Sequence, residues 1–275
     1  MKMFFRKMHG LGNDFIIVDE RPQALGLTPV RIAALADRHK GIGCDQFVTL
    51  APSQHENATA FVRFFNPDGS EAGACGNASR CVAQLLAEET GENKLCFETK
   101  GGLLHAEVLS RTETDSAVVT VDMGRPRMEW QSVPLAHETD TLRLPLTGEP
   151  AALSMGNPHA TFFVEDLAEA ARGPVLEVDP LFPERANIGF ALIEAPDRMR
   201  LRVWERGAGF TLACGSGACA AVVNAARRGL GERRMQVEVD GGEMVIAWEA
   251  NDHVLMTGPA QLAFEGTVDL EAYPK

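Results

Sequence analysis

A chain of 275 residues with a formal net charge of −12 and a 45% hydrophobic share is long enough for one large core or two medium ones. Its acidity argues against nucleic acid and anionic lipid as partners. No apolar run approaches the roughly 20 residues that span a bilayer, and the start, MKMFFRKMHGLGNDF, holds no sustained apolar stretch of the secretory kind. A cytoplasmic protein that meets neither membrane nor nucleic acid is expected. The six cysteines, Cys44, Cys75, Cys81, Cys96, Cys214 and Cys219, contain no CxxC pair. Reduced thiols are therefore expected in place of disulfides or a zinc knuckle.

In chain order, GLGNDFIIV from Gly10 places a Gly-Asn pair before an apolar strand. Thr28 is an N-cap candidate with Pro29 at the first helical position, for a helix running towards Gly41. After Cys75, NASRCVAQLLAEETG puts Ala78, Cys81, Val82, Leu85 and Leu86 on one helical face and stops at Gly91. LLHAEVL and AVVTVDM alternate as strands, and Gly101-Gly102 reads as a hairpin turn. A boundary falls near MGRPRMEWQSVP. SMGNPHATFFV then repeats the Gly-Asn strand, and MRLRVWE is another strand. SGACAAVVNAARRGLG is a small-residue helix ending near Gly229. MQVEVD and EMVIAWE flank a second turn at Gly241-Gly242. The strands cluster around each helix and do not alternate with helices, which favours an α+β fold of mixed or antiparallel sheets wrapped on a helix.

The second half echoes the first. VRFFNPDGSEAGACGNASRC (Val62 to Cys81) aligns without a gap with LRVWERGAGFTLACGSGACA (Leu201 to Ala220) at an offset of 139. Arg63 meets Arg202, Phe65 meets Trp204, and Ala74, Cys75 and Gly76 meet Ala213, Cys214 and Gly215. The common order of Gly-Asn strand, strand, Cys-Gly, helix, strand, Gly-Gly turn and strand marks an internal duplication.

Cys75 and Cys214 each stand just before a helix, where unpaired N–H groups and the helix dipole favour negative charge, lower a thiol pKa and can hold a carboxylate. If the halves face each other about a pseudo-twofold axis, one substrate α-carbon would lie between two sulfurs. One thiolate would remove a proton while the opposing thiol delivers one to the other face, inverting the centre. Cysteine is also a common small core residue, the expected role of Cys81, Cys96 and Cys219, with Cys44 open. A rival reading takes GSGACA (Gly215 to Ala220) as a relaxed dinucleotide fingerprint with Glu238 or Asp240 downstream. The strand LRVWE, however, ends well before Gly215, and the other copy, GNASRC, lacks the pattern.

GLGNDF at Gly10, GIGCDQ at Gly41, NPDGSEAGACGNASRC at Asn66, GNPH at Gly156 and ERGAGFTLACGSGACA at Glu205 together resemble the diaminopimelate epimerases over nearly the whole chain. The resemblance implies an isomerase that interconverts LL- and meso-diaminopimelate without pyridoxal phosphate, metal or other cofactor, on the route to lysine and peptidoglycan. It implies two pseudosymmetric domains with the cleft between them, residues 1–124 with 263–275 and residues 125–262, and commonly a homodimer. It makes Cys75 and Cys214 the acid/base pair and assigns the reacting carboxylate to Gly76, Asn77, Gly215 and Ser216. Asn13, Gln46, Asn66, Asn157 and Asn187 match substrate contacts, and Glu205 with Arg206 match recognition of the distal amino-acid group. His159 and Glu205 match positions that tune the thiols. The chain departs from the family pattern at Phe210, where an acid is usual, at Leu212, Ala78 and Ser79, and at Phe264, where a dimer-contact Tyr is frequent. Proline racemase relatives share the two-cysteine chemistry but act on a substrate with no distal charged group. A non-catalytic amino-acid-binding protein is the reading from outside the enzymes.

Overall fold

The computed structural model describes residues 1–73, 75–112 and 116–274, so Ala74, which the repeat sets against Ala213, lies outside the described residues. Two compact units emerge, Met1–Val121 with Gly258–Lys275, and Asp122–Thr257.

The first unit contains β1 (Lys2–Gly10), β2 (Asn13–Asp19), α1 (Pro29–Ala36), β3 (Gln46–Ala51), β4 (Phe61–Phe65), β5 (Glu71–Ala72), α2 (Gly76–Thr90), β6 (Lys94–Thr99), β7 (Gly102–Arg111) and β8 (Ser116–Asp122). The second contains β9 (Ala151–Ser154), β10 (Pro158–Phe163), a 3-10 turn (Leu167–Arg172), α3 (Gly173–Glu177), β11 (Asn187–Ala195), β12 (Arg198–Glu205), β13 (Gly209–Phe210), α4 (Gly215–Arg227), β14 (Arg234–Val239) and β15 (Gly242–Trp248). The last strand, β16 (Val254–Asp269), begins in the second unit and continues into the first. That is why the units divide after 121 and 257, a few residues before the positions read from sequence. A strand that carries on through a boundary has no turn residue to mark it.

In the first unit the strand order is β1-β2-β3-β4-β6-β7-β8-β16, and β1 also pairs with β16, so the sheet closes on itself. In the second, β9-β10-β11-β12-β14-β15-β16 is completed by Met123 to Arg127. That segment exchanges backbone hydrogen bonds with Val254 on one side and Ser154 on the other. The pairing senses match throughout: β2–β3 and β10–β11 are parallel, β3–β4 and β11–β12 antiparallel, and β4–β6 and β12–β14 parallel. The duplication seen in sequence is therefore a duplication of topology.

Each closed sheet wraps one helix. α2 is buried from Gly76 through Ala87, and α4 from Gly217 through Ala225. Burial on all sides explains the small residues of α4, because neighbouring strands come close only where side chains are short. Strands that face this helix on one side and another layer on the other lose the period-two alternation: Phe15, Ile16, Ile17 and Val18 are all buried. On the outer face of the first unit, Ile32, Leu35 and Ala36 of α1 pack on Met3, Phe5, Ile16, Val18 and Phe47. In the second unit, Phe162 and Phe190 stack at 5.5 Å within a core that includes Leu144, Leu176 and Ile188.

Local expectations hold at the helix ends with one exception. Thr28 Oγ1 accepts from the Arg31 amide at 3.2 Å, and Gly91 caps α2 at φ +77°. α1, however, stops at Ala36 instead of running towards Gly41. Asp37 Oδ1 accepts from the His39 and Lys40 amides, and the chain doubles back so closely that a Cβ at Gly41 would lie 2.3 Å from the Ala34 carbonyl. The Asp side chain offers the backbone an alternative to the helix. The two hairpins turn through Lys100–Gly101 and Asp240–Gly241, which leaves Gly102 and Gly242 as the first residues of β7 and β15 at strongly positive φ.

Candidate active site

Both sequence-selected cysteines are the N-caps of the enclosed helices. Cys75 has φ −147° and ψ 107°, and Cys214 has φ −115° and ψ 104°, extended backbone that points the side chain back over the first turn. Cys75 is half-buried, and its Sγ accepts from the Ala78 amide at 3.4 Å. Cys214 is 5% exposed, and its Sγ lies 3.8 Å from Ser216 Oγ.

The Gly-Asn motifs serve the same helix ends. In the first unit, the carboxylate of Asp45 can only accept, so the amino group of Asn13 faces it at 2.9 Å and the Asn13 carbonyl accepts from Asn77 Nδ2 at 3.1 Å. Asp45 and its neighbour Asp14 are fixed by Arg38, with Lys7 also paired to Asp14 at 2.5 Å. Burial alone would raise the Asp14 carboxyl, but the hydrogen bonds from Arg38 and Lys7 outweigh it and hold it at about 2. In the second unit, Asn157 Nδ2 donates to Ser216 Oγ at 3.4 Å, while its carbonyl meets His159 Nε2 at 2.9 Å. Asn77 and Ser216 both stand two residues past their cysteine. The two motif amides thus occupy equivalent places with opposite polarity.

His159 is pushed down to about 3, first by burial and then by Arg206, so it is a neutral hydrogen-bond donor to Asn157. Its ring is linked through Asn157 to Ser216, whose Oγ lies 3.8 Å from Cys214 Sγ.

The helix-end expectation of an acidified thiol fails at Cys214. Burial first, and the Glu205 carboxylate second, raise this thiol well above its usual value, against the opposing pull of the Gly217 amide and the Ser216 hydroxyl. Thr211 Oγ1 donates to Glu205 and steadies that carboxylate. Desolvation and a like charge overcome the helix dipole here. Two cysteines outside the pair are also unsuited to ionise. Burial pushes Cys44 and Cys81 up to about 12, and Cys219 is fully buried. Cys96 departs from the expectation of a buried core residue: it is half-buried on β6 opposite His105.

The remaining selected residues divide between the units. Gln46 heads β3, and its Oε1 is buried with no hydrogen-bond partner among the described residues. Asn66 lies in the turn after β4, where its Nδ2 donates to Ser70 Oγ at 3.0 Å. Gly76 and Gly215 open α2 and α4. Asn187 is buried, donates to the Pro158 carbonyl at 2.8 Å and accepts from the Arg206 amide at 2.9 Å. Arg206 is exposed, with Nη1 donating to the Glu184 carbonyl at 3.2 Å. Of the departures, Ala78 and Ser79 are buried in α2, whereas Phe210, Leu212 and Phe264 are exposed. Phe210 sits edge-on to Trp204 at 5.0 Å with the Arg202 guanidinium over its ring at 4.5 Å, and Leu212 is exposed. The repeat sets Phe210 opposite Glu71, which pairs with Arg63; Arg202 pairs with Asp240 at 3.0 Å.

Sequence reading passed over Asp45, Thr211 and Glu177. Asp45 and Thr211 adjoin motif residues, and their proximity was the available signal. Glu177 gave none, since its hydrogen-bond donors Trp204 and Gly207 lie 27 and 30 positions away. Burial would raise its carboxyl, but hydrogen bonds from Trp204 and the Gly207 amide, with Arg185 nearby, hold it below the usual range.

The sequence profile of the diaminopimelate epimerases matches residues 5–129 and 151–263. A protein named diaminopimelate epimerase from Acidiphilium cryptum is 57% identical over 272 residues, 96% of each chain. One from Gluconobacter oxydans is 58% identical over 267 residues, covering 97% of this chain and 99% of its own. Among solved structures, a phenazine biosynthesis protein of the PhzF family from Bacillus anthracis has a TM-score of 0.70 at 17% identity, with 98% and 99% of the chains covered. A hydroxyproline epimerase from Agrobacterium vitis has a TM-score of 0.67 at 18% identity, with 97% and 91% covered. These two share the fold. Relatedness this deep, across nearly the full length of both partners, places the chain in the diaminopimelate epimerase family.

Proposed function

We propose that the chain interconverts LL- and meso-2,6-diaminopimelate by two-base proton transfer at the α-carbon, with Cys75 and Cys214 as the acid/base pair and no cofactor. The observation that carries this reading is the repetition of one device: a cysteine capping the enclosed helix of each unit, with a Gly-Asn amide bonded two residues further along that helix. A single general base would need only one such helix. An inversion that runs in both directions needs two thiols that exchange roles.

The chemistry follows from the surroundings. Cys214, held as the thiol by burial and Glu205, is the resting proton donor. Cys75, half-buried and accepting from the Ala78 amide at the start of α2, takes the opposing role on the other face. Gly76 with Asn77, and Gly215 with Ser216, offer amides that stabilise charge on the substrate carboxylate as the carbanion forms. Asn13, Gln46, Asn66, Asn157 and Asn187 supply neutral donors and acceptors to the rest of the substrate. Glu205 and Arg206 match the distal ammonium and carboxylate.

The chain is also read as a homodimer in the cytoplasm. Phe264 is 51% exposed and Phe4 47%, on the adjacent strands β16 and β1, apolar surface of the kind that partners cover. Phe264→Glu should then lower the mass measured by light scattering to that of one chain.

Proton NMR of LL-diaminopimelate with reduced protein in D₂O and no added cofactor tests the activity. Loss of the α-proton signal with appearance of the meso product is expected. Silence there, with exchange of proline in a parallel sample, would move the chain to the racemase chemistry. Silence with both from folded protein would leave a binding protein.

A further inference from the structure

We infer that Glu177 is a positioning residue for recognition of the substrate's distal amino-acid group, gripping the Glu205–Arg206 pair from both sides. This rests on the roles given above to Glu205 and Arg206.

The pair sits in the turn between β12 and β13. The first unit has a turn at the equivalent place, Asn66 to Ser70, and it is tied by its own residues. Asn66 N donates to the Ser70 carbonyl at 2.8 Å, Gly69 N donates to the Asn66 carbonyl at 2.9 Å, and Asp68 Oδ1 accepts from the Ser70 amide and hydroxyl. The turn of the second unit keeps the backbone ties, with Glu205 paired to Gly209, but has Gly207 in the place of Asp68 and so lacks that side-chain cap. After Arg206 it reads Gly-Ala-Gly, with Gly207 at φ +75° and Gly209 at φ +81°, and its internal backbone bond runs from Ala208 N to the Glu205 carbonyl at 3.1 Å. Glycines at positive φ leave such a turn free to open.

A side-chain support in place of the missing cap comes from α3. Glu177 ends α3 and is 7% exposed. One carboxylate oxygen accepts from Trp204 Nε1 at 2.7 Å and the other from the Gly207 amide at 2.9 Å. These are the residues immediately before and after the Glu205–Arg206 pair. Asn187 adds a third point by accepting from the Arg206 amide. The approach of α3 depends on Gly173, where a Cβ would lie 2.6 Å from Trp204 Cβ. A carboxylate suits the position because it only accepts; an amide would set N–H against N–H at one of the two contacts. Holding the backbone in place lowers the ordering cost of using Arg206 when substrate binds, which is a contribution to affinity. Glu205 has its own partner in Thr211, so the carboxylate beside Cys214 keeps that support when Glu177 is changed.

The test uses the full chain carrying Glu177→Gln, Trp204→Phe, or both. Glu177→Gln should raise KM for LL-diaminopimelate by about tenfold with kcat within about threefold, the pattern of lost binding, and should speed hydrogen exchange at the Gly207 amide. Trp204→Phe removes one donor to the same carboxylate, so Glu177→Gln should raise KM by less in that background than alone. If Glu177→Gln does not fold, Trp204→Phe by itself should still raise KM. Unchanged KM in folded Glu177→Gln, a fall in kcat at constant KM, or full additivity of the two changes would overturn the inference. Were the wild type silent on diaminopimelate, the functional reading would fall first, and Gly207 exchange would separately decide whether Glu177 holds the turn.

Discussion

Replacing Glu205 by Gln should make the Cys214 thiol easier to ionise. Cys214 is 5% exposed, and after burial the Glu205 carboxylate is the largest influence holding it protonated. Two unit charges about 4 Å apart interact by about 4 kcal/mol at an effective dielectric of about 20. Gln keeps the volume of Glu and an acceptor for Thr211. Relaxation and the remaining Gly217 and Ser216 contacts absorb part of the change, leaving roughly 1–2 kcal/mol, or about a tenfold gain in thiolate at fixed pH. The assay is alkylation of Cys214 by iodoacetamide, followed by peptide mass spectrometry across the thiol titration range. Cys75, in the other unit, serves as the internal reference in the same digest. Faster alkylation of Cys214 with Cys75 unchanged is expected. An unchanged or slower rate at Cys214 would refute the claim that the carboxylate suppresses this thiolate, and would leave burial as the whole cause.

Cys75→Ala and Cys214→Ala should each abolish formation of the opposite isomer, and wild-type activity in either would remove the two-base scheme. Thr28→Ala deletes the side-chain cap of α1 and should cost about 1 kcal/mol in urea unfolding. The Asp14 carboxyl is depressed from 3.8 to about 2, so its contribution of about 2 kcal/mol is present above the unfolded pKa and is lost as pH falls through the folded one. Asp14→Asn should flatten the stability profile below about pH 4. His159 is depressed from 6.5 to about 3. The unfolded chain therefore binds a proton that the folded chain refuses, and stability falls by roughly 1.4 kcal/mol per pH unit between those two values as pH drops. His159→Gln should remove that slope in denaturant titrations at a series of pH values.

Much of the molecule is local and therefore legible in the sequence. Thr28, Cys75, Gly91 and Gly229 mark helix ends because capping depends on a residue and its neighbours within one turn. The Gly-Gly hairpins and the cysteine repeat are likewise written in consecutive residues, and the repeat carried the fold class. Other outcomes were set by partners distant in the chain. α1 was expected to reach Gly41 but stops at Ala36, where Asp37 captures the next amides and the backbone folds against Ala34 and Leu35. β16 crosses from one unit to the other without any break in its pattern.

The chemistry of the site divides along the same line. The sequence by itself determined that two cysteines cap two equivalent helices, that a Gly-Asn motif precedes each, and that Glu205 and Arg206 are adjacent. The tertiary structure decided what those residues are able to do. It set Glu205 and a shell of buried residues against Cys214, so that a thiol at a helix N-terminus is raised where the helix end alone would lower it. It turned Asn13 and Asn157 in opposite senses by facing one with a carboxylate and the other with a neutral imidazole. It brought Glu177 to a turn in which Gly207 replaces the capping side chain of the first unit's turn. Charge and hydrogen bonding act through space over a few ångströms, and only the folded chain determines which residues come that close.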